Sequence, residues 1–189
     1  MLYICYDNHA YMNTGIQRSS ATPRGADTNT SPAGKVVPGK QQQRKDLTAC
    51  MIAHNIPYVA QASVHNYVDF MKKVERALAI EGPKFINILQ PCHRGWRHNP
   101  EESIELARGA VECRWWPLFE VENGKWKINY KPKEVVPVEN WMKLQGRFSH
   151  LFKDPKGQEI IKWHQAEIEH AWAALLKREA ESAREAPKA

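Results

Sequence analysis

The residues best suited to chemistry stand at the start of the chain. Asp7, Asn8, Asn13 and Thr14 crowd side-chain oxygens and amides into a short stretch that ends at Gly15, a residue free to take positive φ. A magnesium ion takes oxygen ligands in near-octahedral geometry and shares them with phosphates and water. One amide oxygen and one main-chain carbonyl from such a turn would make a partial ligand set. The same residue types also satisfy their own backbone in ordinary turns, so the types alone leave both readings open. A second candidate is Cys92, in Gln90-Pro91-Cys92-His93-Arg94-Gly95-Trp96. Its readings are a small buried side chain, a nucleophile whose thiolate is favoured by His93 and Arg94, and one ligand of a cluster whose other ligands lie elsewhere. No phosphate loop, nucleophile elbow or local Cys/His/Asn grouping accompanies it.

Both candidates sit where strands are expected to end. Leu2-Tyr3-Ile4-Cys5-Tyr6 reads as a buried strand, and ligands in open α/β sheets bind at the carboxyl edge of the strands. Tyr58-Val59-Ala60 and Phe85-Ile86-Asn87-Ile88-Leu89 read as two more strands, the second central and leading directly to Cys92. Between them, Asp46 caps a helix that runs to about Asn55 and is closed by Pro57. Residues 65–80 carry Val68, Met71, Val74 and Leu78 at the spacing of an amphipathic helix, stopped by Gly82-Pro83. Strands alternating with helices in this way predict an α/β fold with a parallel sheet.

Asn99-Pro100-Glu101-Glu102 is a helix start, with a cap, a proline at the first position and acids in the first turn. That helix is expected to run to about Cys113. A β-hairpin follows, 117–121 and 125–130, turned by Asn123-Gly124. Residues 16–45 form a long loop, broken by Pro23, Gly25, Pro32, Gly34, Pro38 and Gly39. The end of the chain, 158–184, is a charged helix with Ile160, Ile161, Ile168, Trp172, Leu175 and Leu176 as a docking face for the same or a partner subunit. The expected units are 1–114, 115–157 and 158–189.

Bulk composition narrows the function classes. The chain has 189 residues, 42% of them hydrophobic and 25% charged, as in an ordinary globular protein. Net charge is +6, but Lys and Arg are scattered and mixed with acids, so nucleic-acid binding is not expected. No apolar run approaches the roughly 20 residues of a membrane span, and the expected location is the cytoplasm. The four cysteines, Cys5, Cys50, Cys92 and Cys113, contain no C-x-x-C and make neither a zinc motif nor a disulfide framework.

Several ordered segments carry a family resemblance. Tyr3-Ile4-Cys5-Tyr6-Asp7-Asn8-His9-Ala10-Tyr11-Met12-Asn13-Thr14-Gly15-Ile16-Gln17-Arg18-Ser19 and Ala21-Thr22-Pro23-Arg24-Gly25-Ala26 resemble the thiamine-diphosphate-binding beta subunit of 2-oxoacid:ferredoxin oxidoreductases, of the pyruvate:ferredoxin (pyruvate synthase) type above all. The resemblance continues in His54-Asn55-Ile56-Pro57-Tyr58-Val59-Ala60, Pro91-Cys92-His93-Arg94-Gly95-Trp96 and Leu144-Gln145-Gly146-Arg147-Phe148, covering residues 1–152. It implies a partial thiamine-diphosphate-binding fold and the CoA-dependent oxidative decarboxylation of a 2-oxo acid, with pyruvate first. Electrons would pass singly through clusters to ferredoxin.

The implied site is specific. Asn8 matches the side-chain magnesium ligand, and Ala10 contributes its main-chain carbonyl to the same ion. Asn13, with Thr14 beside it, matches the polar residue near the thiazolium and the 2-oxo acid. Cys92 matches the last of the four cysteines of a [4Fe–4S] cluster. The loop at 16–45 then reads as active-site wall and subunit contact. Alpha, gamma and delta type subunits, ferredoxin and coenzyme A are the implied partners.

This chain departs from the family pattern in one respect. The family's Gly-Asp-Gly magnesium segment and its three other cluster cysteines lie upstream of the position of Asn8, and only seven residues precede Asn8 here. The expectation is the C-terminal half of the subunit, as a gene fragment, a split gene or a misplaced start, inactive in isolation. The alternative from a different class is a non-catalytic remnant or assembly subunit that docks to partners without binding cofactor.

Overall fold

The computed structural model describes residues 1–184. Strand β1 (Leu2–Asp7) is followed, after the long connection, by α1 (Leu47–Ala53), β2 (Tyr58–Ser63), α2 (Tyr67–Ala79), β3 (Lys84–Leu89) and α3 (His93–Trp96). Helix α4 (Ser103–Glu112), the hairpin β4 (Phe119–Glu122) and β5 (Lys125–Ile128), α5 (Val138–Lys143) and α6 (Pro155–Arg184) complete the order. Tight 3-10 turns occupy Pro100–Glu102 and Gly146–Phe152. The strands form one sheet in the order β1-β3-β2-β4-β5. β1, β3 and β2 run parallel, while β4 and β5 join antiparallel, so the hairpin extends the sheet and makes it mixed. The expected α/β architecture is present.

Local chemistry explains the element ends. The Asp46 carboxylate accepts from the Ala49 amide at 2.9 Å and starts α1, and Asn66 Oδ1 accepts from the Asp69 amide at 3.1 Å and starts α2. Asn123 and Gly124 both have positive φ, 47° and 79°, as a two-residue hairpin turn requires. Three buried tryptophans anchor the interior by donating to main-chain carbonyls. Trp116 reaches Ala62 O at 2.7 Å, Trp141 reaches Leu106 O at 2.9 Å, and Trp96 reaches Asn8 O at 2.8 Å. Each indole is thereby buried without an orphaned N–H.

Three expectations about which surface is covered are corrected. β1 is an edge strand rather than a buried one, with Tyr3 58% and Tyr6 64% exposed. Its sequence matches a buried strand because its inner edge and half of each face do pack. On α2, Met71 and Leu78 point to solvent, and Lys73 and Ala77 are buried instead. Lys73 lies inside because its Nζ donates to Gln61 O at 2.9 Å and pairs with Asp69 at 2.6 Å. The apolar stripe of α6 faces this chain's own core, where Ile160, Ile161, Ile168, Trp172 and Leu175 are buried. The predicted tail reaches Ala189, and its residues 185–189 lie outside the described residues. No helix among the described residues is long and apolar enough to cross a membrane.

Candidate cofactor site

At the carboxyl end of β1 the chain turns through Asn8, His9 and Ala10 into a tight loop. Tyr11 and Gln17 exchange backbone hydrogen bonds at 3.0 Å in both directions, and the amides of Gly15 and Ile16 return to Met12 O at 3.3 and 3.1 Å. His9 takes φ 67°, a left-handed conformation that bends Asn8 and Ala10 around it. Asn8, Ala10, Asn13 and Thr14 all line one open cleft of about 470 Å³, together with Tyr6, Ser19 and Ser20. Four of the five predicted site residues therefore share a single concavity.

Cys92 lies outside that cleft but is tied to it. It precedes α3, and the Trp96 amide donates back to Cys92 O at 2.8 Å. Trp96 then donates from its indole to Asn8 O, and a Cβ added at Gly95 would come within 2.1 Å of Met12 Sδ. Glycine at 95 is what lets α3 lie against the loop. The Cys92 side chain is half-buried against the main core.

Behind the cleft lies a buried polar group that spacing did not single out. The His9 ring stacks on Trp96 with centroids 5.0 Å apart and planes 13° apart. Arg147, itself buried, lays its guanidinium over the same Trp96 at 3.8 Å and donates from Nη2 to Gln145 Oε1 at 2.7 Å. The same Nη2 lies 3.2 Å from His9 Nδ1. Burial pushes the His9 pKa well down, and Arg147, Arg44 and Lys40 add to the effect, so the ring stays neutral. Burial also lowers the pKa of Arg147, while Asp7 and Cys92 act in the opposite sense; a guanidinium stays protonated regardless. Asp7 is buried, accepts from the His9 amide at 3.0 Å and lies 3.7 Å from Arg44. Desolvation raises its pKa more than Arg44 lowers it. The cleft thus offers the neutral oxygens of Asn8, Asn13 and Thr14 together with the buried Asp7 carboxyl in its lining, while Arg44, Lys40 and Arg147 supply positive charge around His9. That combination suits an anion that arrives with a divalent cation.

The residues present fit the magnesium–diphosphate part of the implied cofactor. Asn8 Oδ1 receives only a long contact of 3.4 Å from the Ala10 amide, which leaves its lone pairs able to ligate. With the Ala10 carbonyl it would supply two of six oxygens. The iron–sulfur cluster is different. Among the described residues no three His, Cys, Asp or Glu side chains are grouped to hold a metal. A [4Fe–4S] cluster needs four ligands, and Cys92 offers one. Asn13 and Thr14 are exposed at the rim, where Thr14 Oγ1 bonds to Gln17 Oε1.

Residues 1–88 match the family model described as "Thiamine pyrophosphate enzyme, C-terminal TPP binding domain". The chain is 56% identical over 151 residues to the pyruvate synthase subunit PorB of Methanocaldococcus jannaschii, covering 80% of this chain and 51% of that protein. The PorB subunit of Thermotoga maritima is 44% identical over 176 residues, covering 93% of this chain and 54% of the relative. The ketoisovalerate oxidoreductase subunit VorB of Pyrococcus horikoshii is 47% identical over 178 residues, covering 93% and 56%. The chain spans about half the length of the curated relatives it matches. By these matches the chain belongs to the family of beta subunits of the 2-oxoacid:ferredoxin oxidoreductases.

Proposed function

We propose that this chain forms one wall of the thiamine-diphosphate site of a CoA-acylating 2-oxoacid:ferredoxin oxidoreductase, with pyruvate as the first substrate. The observation that carries this reading is the shared cleft at the end of β1, lined by Asn8, Ala10, Asn13 and Thr14. Asn8 Oδ1 and the Ala10 carbonyl would hold the magnesium ion that accompanies the diphosphate. Asn13 orients the 2-oxo acid by a side-chain hydrogen bond, with Thr14 beside it. The cofactor, when bound, supplies the electron sink for decarboxylation. Cys92 gives one thiolate to a [4Fe–4S] cluster whose remaining ligands come from outside the described residues. The enzyme works with alpha, gamma and delta type subunits, coenzyme A and ferredoxin. The names of the Methanocaldococcus jannaschii and Thermotoga maritima relatives support pyruvate, and VorB keeps branched 2-oxo acids as the competing class.

The test uses the enzyme assembled from this chain and its partner subunits. Asn8→Ala raises the magnesium concentration needed for thiamine-diphosphate binding about tenfold, the scale of losing one well-placed ligand. Asn13→Ala lowers kcat while cofactor affinity stays within about threefold. Cys92→Ala removes the electron paramagnetic resonance signal of one cluster. Cofactor binding indifferent to Asn8, with full activity of the Cys92 variant, would refute the reading and leave a docking subunit.

A further inference from the structure

The turn after β1 is pinned at its main-chain carbonyls by donors from several segments of the chain. Asp7 O accepts from the Gln90 amide at 3.0 Å, just past the end of β3. Asn8 O accepts from the Trp96 indole of α3 at 2.8 Å, and His9 O accepts from the Thr22 hydroxyl at 2.6 Å. Tyr11 O takes the Gln17 amide at 3.0 Å, and Met12 O takes the amides of Gly15 and Ile16. Among the described residues, Ala10 O is the one carbonyl of residues 7–12 that accepts from no protein donor. Ala10 lines the cleft beside Asn8. A carbonyl oxygen carries two lone pairs, and Ala10 O keeps both.

The two donors nearest to Ala10 act on the peptides that flank His9. Asn8 O belongs to the Asn8–His9 peptide, whose amide end is also held, since His9 N donates to the Asp7 carboxylate at 3.0 Å. His9 O belongs to the His9–Ala10 peptide, whose amide end makes only the 3.4 Å contact with Asn8 Oδ1. Both planes must stay fixed for His9 to keep φ 67°, a conformation that a residue other than glycine holds only where its surroundings enforce it. Neither donor is free to turn away. Trp96 is fully buried, with the His9 ring and the Arg147 guanidinium stacked on it and Trp141 meeting it edge-on. Thr22 is buried too, and its branched side chain is stiff at χ1. Its hydroxyl oxygen accepts from the Ser19 amide at 3.0 Å, and the buried Lys40 ammonium donates to the carbonyls of Ser20 and Thr22.

We infer that Thr22 and Trp96 are positioning residues for the divalent ion: by occupying the carbonyls of His9 and Asn8, they hold the two peptides around His9 in the arrangement that leaves the Ala10 carbonyl and Asn8 Oδ1 free together as ligands. The inference rests on the cofactor reading of Asn8 and Ala10. Each of the two side chains has one polar hydrogen, and each gives it to a carbonyl of this turn. A carbonyl that loses its buried donor turns toward water or toward the cation itself, and the ligand on the same peptide turns with it. Arg147 supports the ring of His9, whereas Thr22 and Trp96 act on the peptides that carry the ligands. Partners one layer behind a metal ligand fix its orientation, and losing one costs about 10–100-fold in metal affinity.

The experiment uses the assembled enzyme with manganese(II) in place of magnesium. Its binding in the presence of thiamine diphosphate is read from the loss of the free-ion electron paramagnetic resonance signal. Thr22→Val keeps the shape and removes the hydroxyl, and Trp96→Phe keeps an aromatic ring and removes the N–H. Each is expected to weaken manganese binding about tenfold, whereas Thr22→Ser restores the donor and should stay within about twofold of the parent. Gly157→Ala, outside the cleft, lowers stability and should leave manganese binding unchanged, which separates positioning from a general loss of stability. Parent-like affinity in Thr22→Val and Trp96→Phe, with Asn8→Ala weakened, would overturn the inference and leave the cofactor reading standing. Equal weakening by Thr22→Ser and Thr22→Val, or by Gly157→Ala, would also overturn it and reduce both residues to packing. Parent-like binding by Asn8→Ala beside a weakened Thr22→Val supports positioning through Ala10 O and counts only against Asn8 as a ligand. Weakening in none of these variants overturns the inference and the cofactor reading together.

Discussion

Arg147 and His9, 138 positions apart in sequence, meet at 3.2 Å between Nη2 and Nδ1 with both side chains buried and both stacked on Trp96. Arg147 can only donate, so His9 Nδ1 accepts and the ring proton sits on Nε2. The contact holds His9 in its left-handed turn, and that turn is what sends Asn8 and Ala10 into the cleft. Arg147→Ala leaves His9 Nδ1 and Gln145 Oε1 without a donor and opens a cavity under Trp96. We expect a loss of about 3 kcal/mol or more, read from the urea midpoint at constant slope. Nitrogen-15 spectra of the His9 ring should show the Nε2–H tautomer in the parent and a mixture in the variant. A parent ring protonated at Nδ1 would exclude this arrangement.

The packing of α3 on the loop makes a second prediction. A Cβ at Gly95 would overlap Met12 Sδ and Cε, which are the far end of a flexible side chain. Gly95→Ala should therefore cost about 1–2 kcal/mol, and Met12→Ala should recover most of that in the double variant. Additive losses would show that α3 and the loop are not coupled through this contact.

Gly157 gives the opposite case, because its neighbour cannot move aside. A Cβ there would lie 2.2 Å from Leu151 O and 2.4 Å from Leu151 Cα, both backbone atoms. Gly157→Ala should cost about 3 kcal/mol or more by forcing α6 away from the turn before it. Thermal unfolding several degrees below the parent is the expected result, and an unchanged midpoint would contradict the close approach.

Stability should fall as pH drops from about 6.5 toward 4. His164 is buried, and burial pushes its pKa down to about 4, against the partial rescue of a hydrogen bond at 2.9 Å to Arg24 O. The unfolded chain takes up the His164 proton near pH 6.5 and the folded chain only near 4, so acid favours unfolding across that window. Fully expressed, the difference is roughly 3 kcal/mol. His9 shifts in the same direction, while Asp7, with its raised pKa, opposes the trend. Denaturation curves at pH 7 and 5 for the parent and His164→Gln should differ in slope with pH, the variant being flatter.

Sequence patterns located most elements because the signals concerned are local. Asp46, the Asn99-Pro100-Glu101-Glu102 start and Asn123-Gly124 act within a few residues of themselves, and each stands where its chemistry placed it. The motif order marked Asn8, Ala10, Asn13 and Thr14, and the cleft gathers them. Gln145 and Arg147 were inside a recognised segment, but nothing in their spacing pointed to His9, since that pairing depends on the whole fold.

Sequence by itself determined the kinds of elements, the turn after β1 and the family, because backbone conformation, capping and residue types are short-range properties. Tertiary structure alone decided which apolar surfaces are covered. Periodicity says that α2 and α6 each carry an apolar stripe, but not what lies against it. α6 turns its stripe onto this chain's core, and α2 turns Met71 and Leu78 outward. Burial is a property of neighbours, and neighbours far apart in sequence are chosen by the sheet order and not by the chain's local pattern.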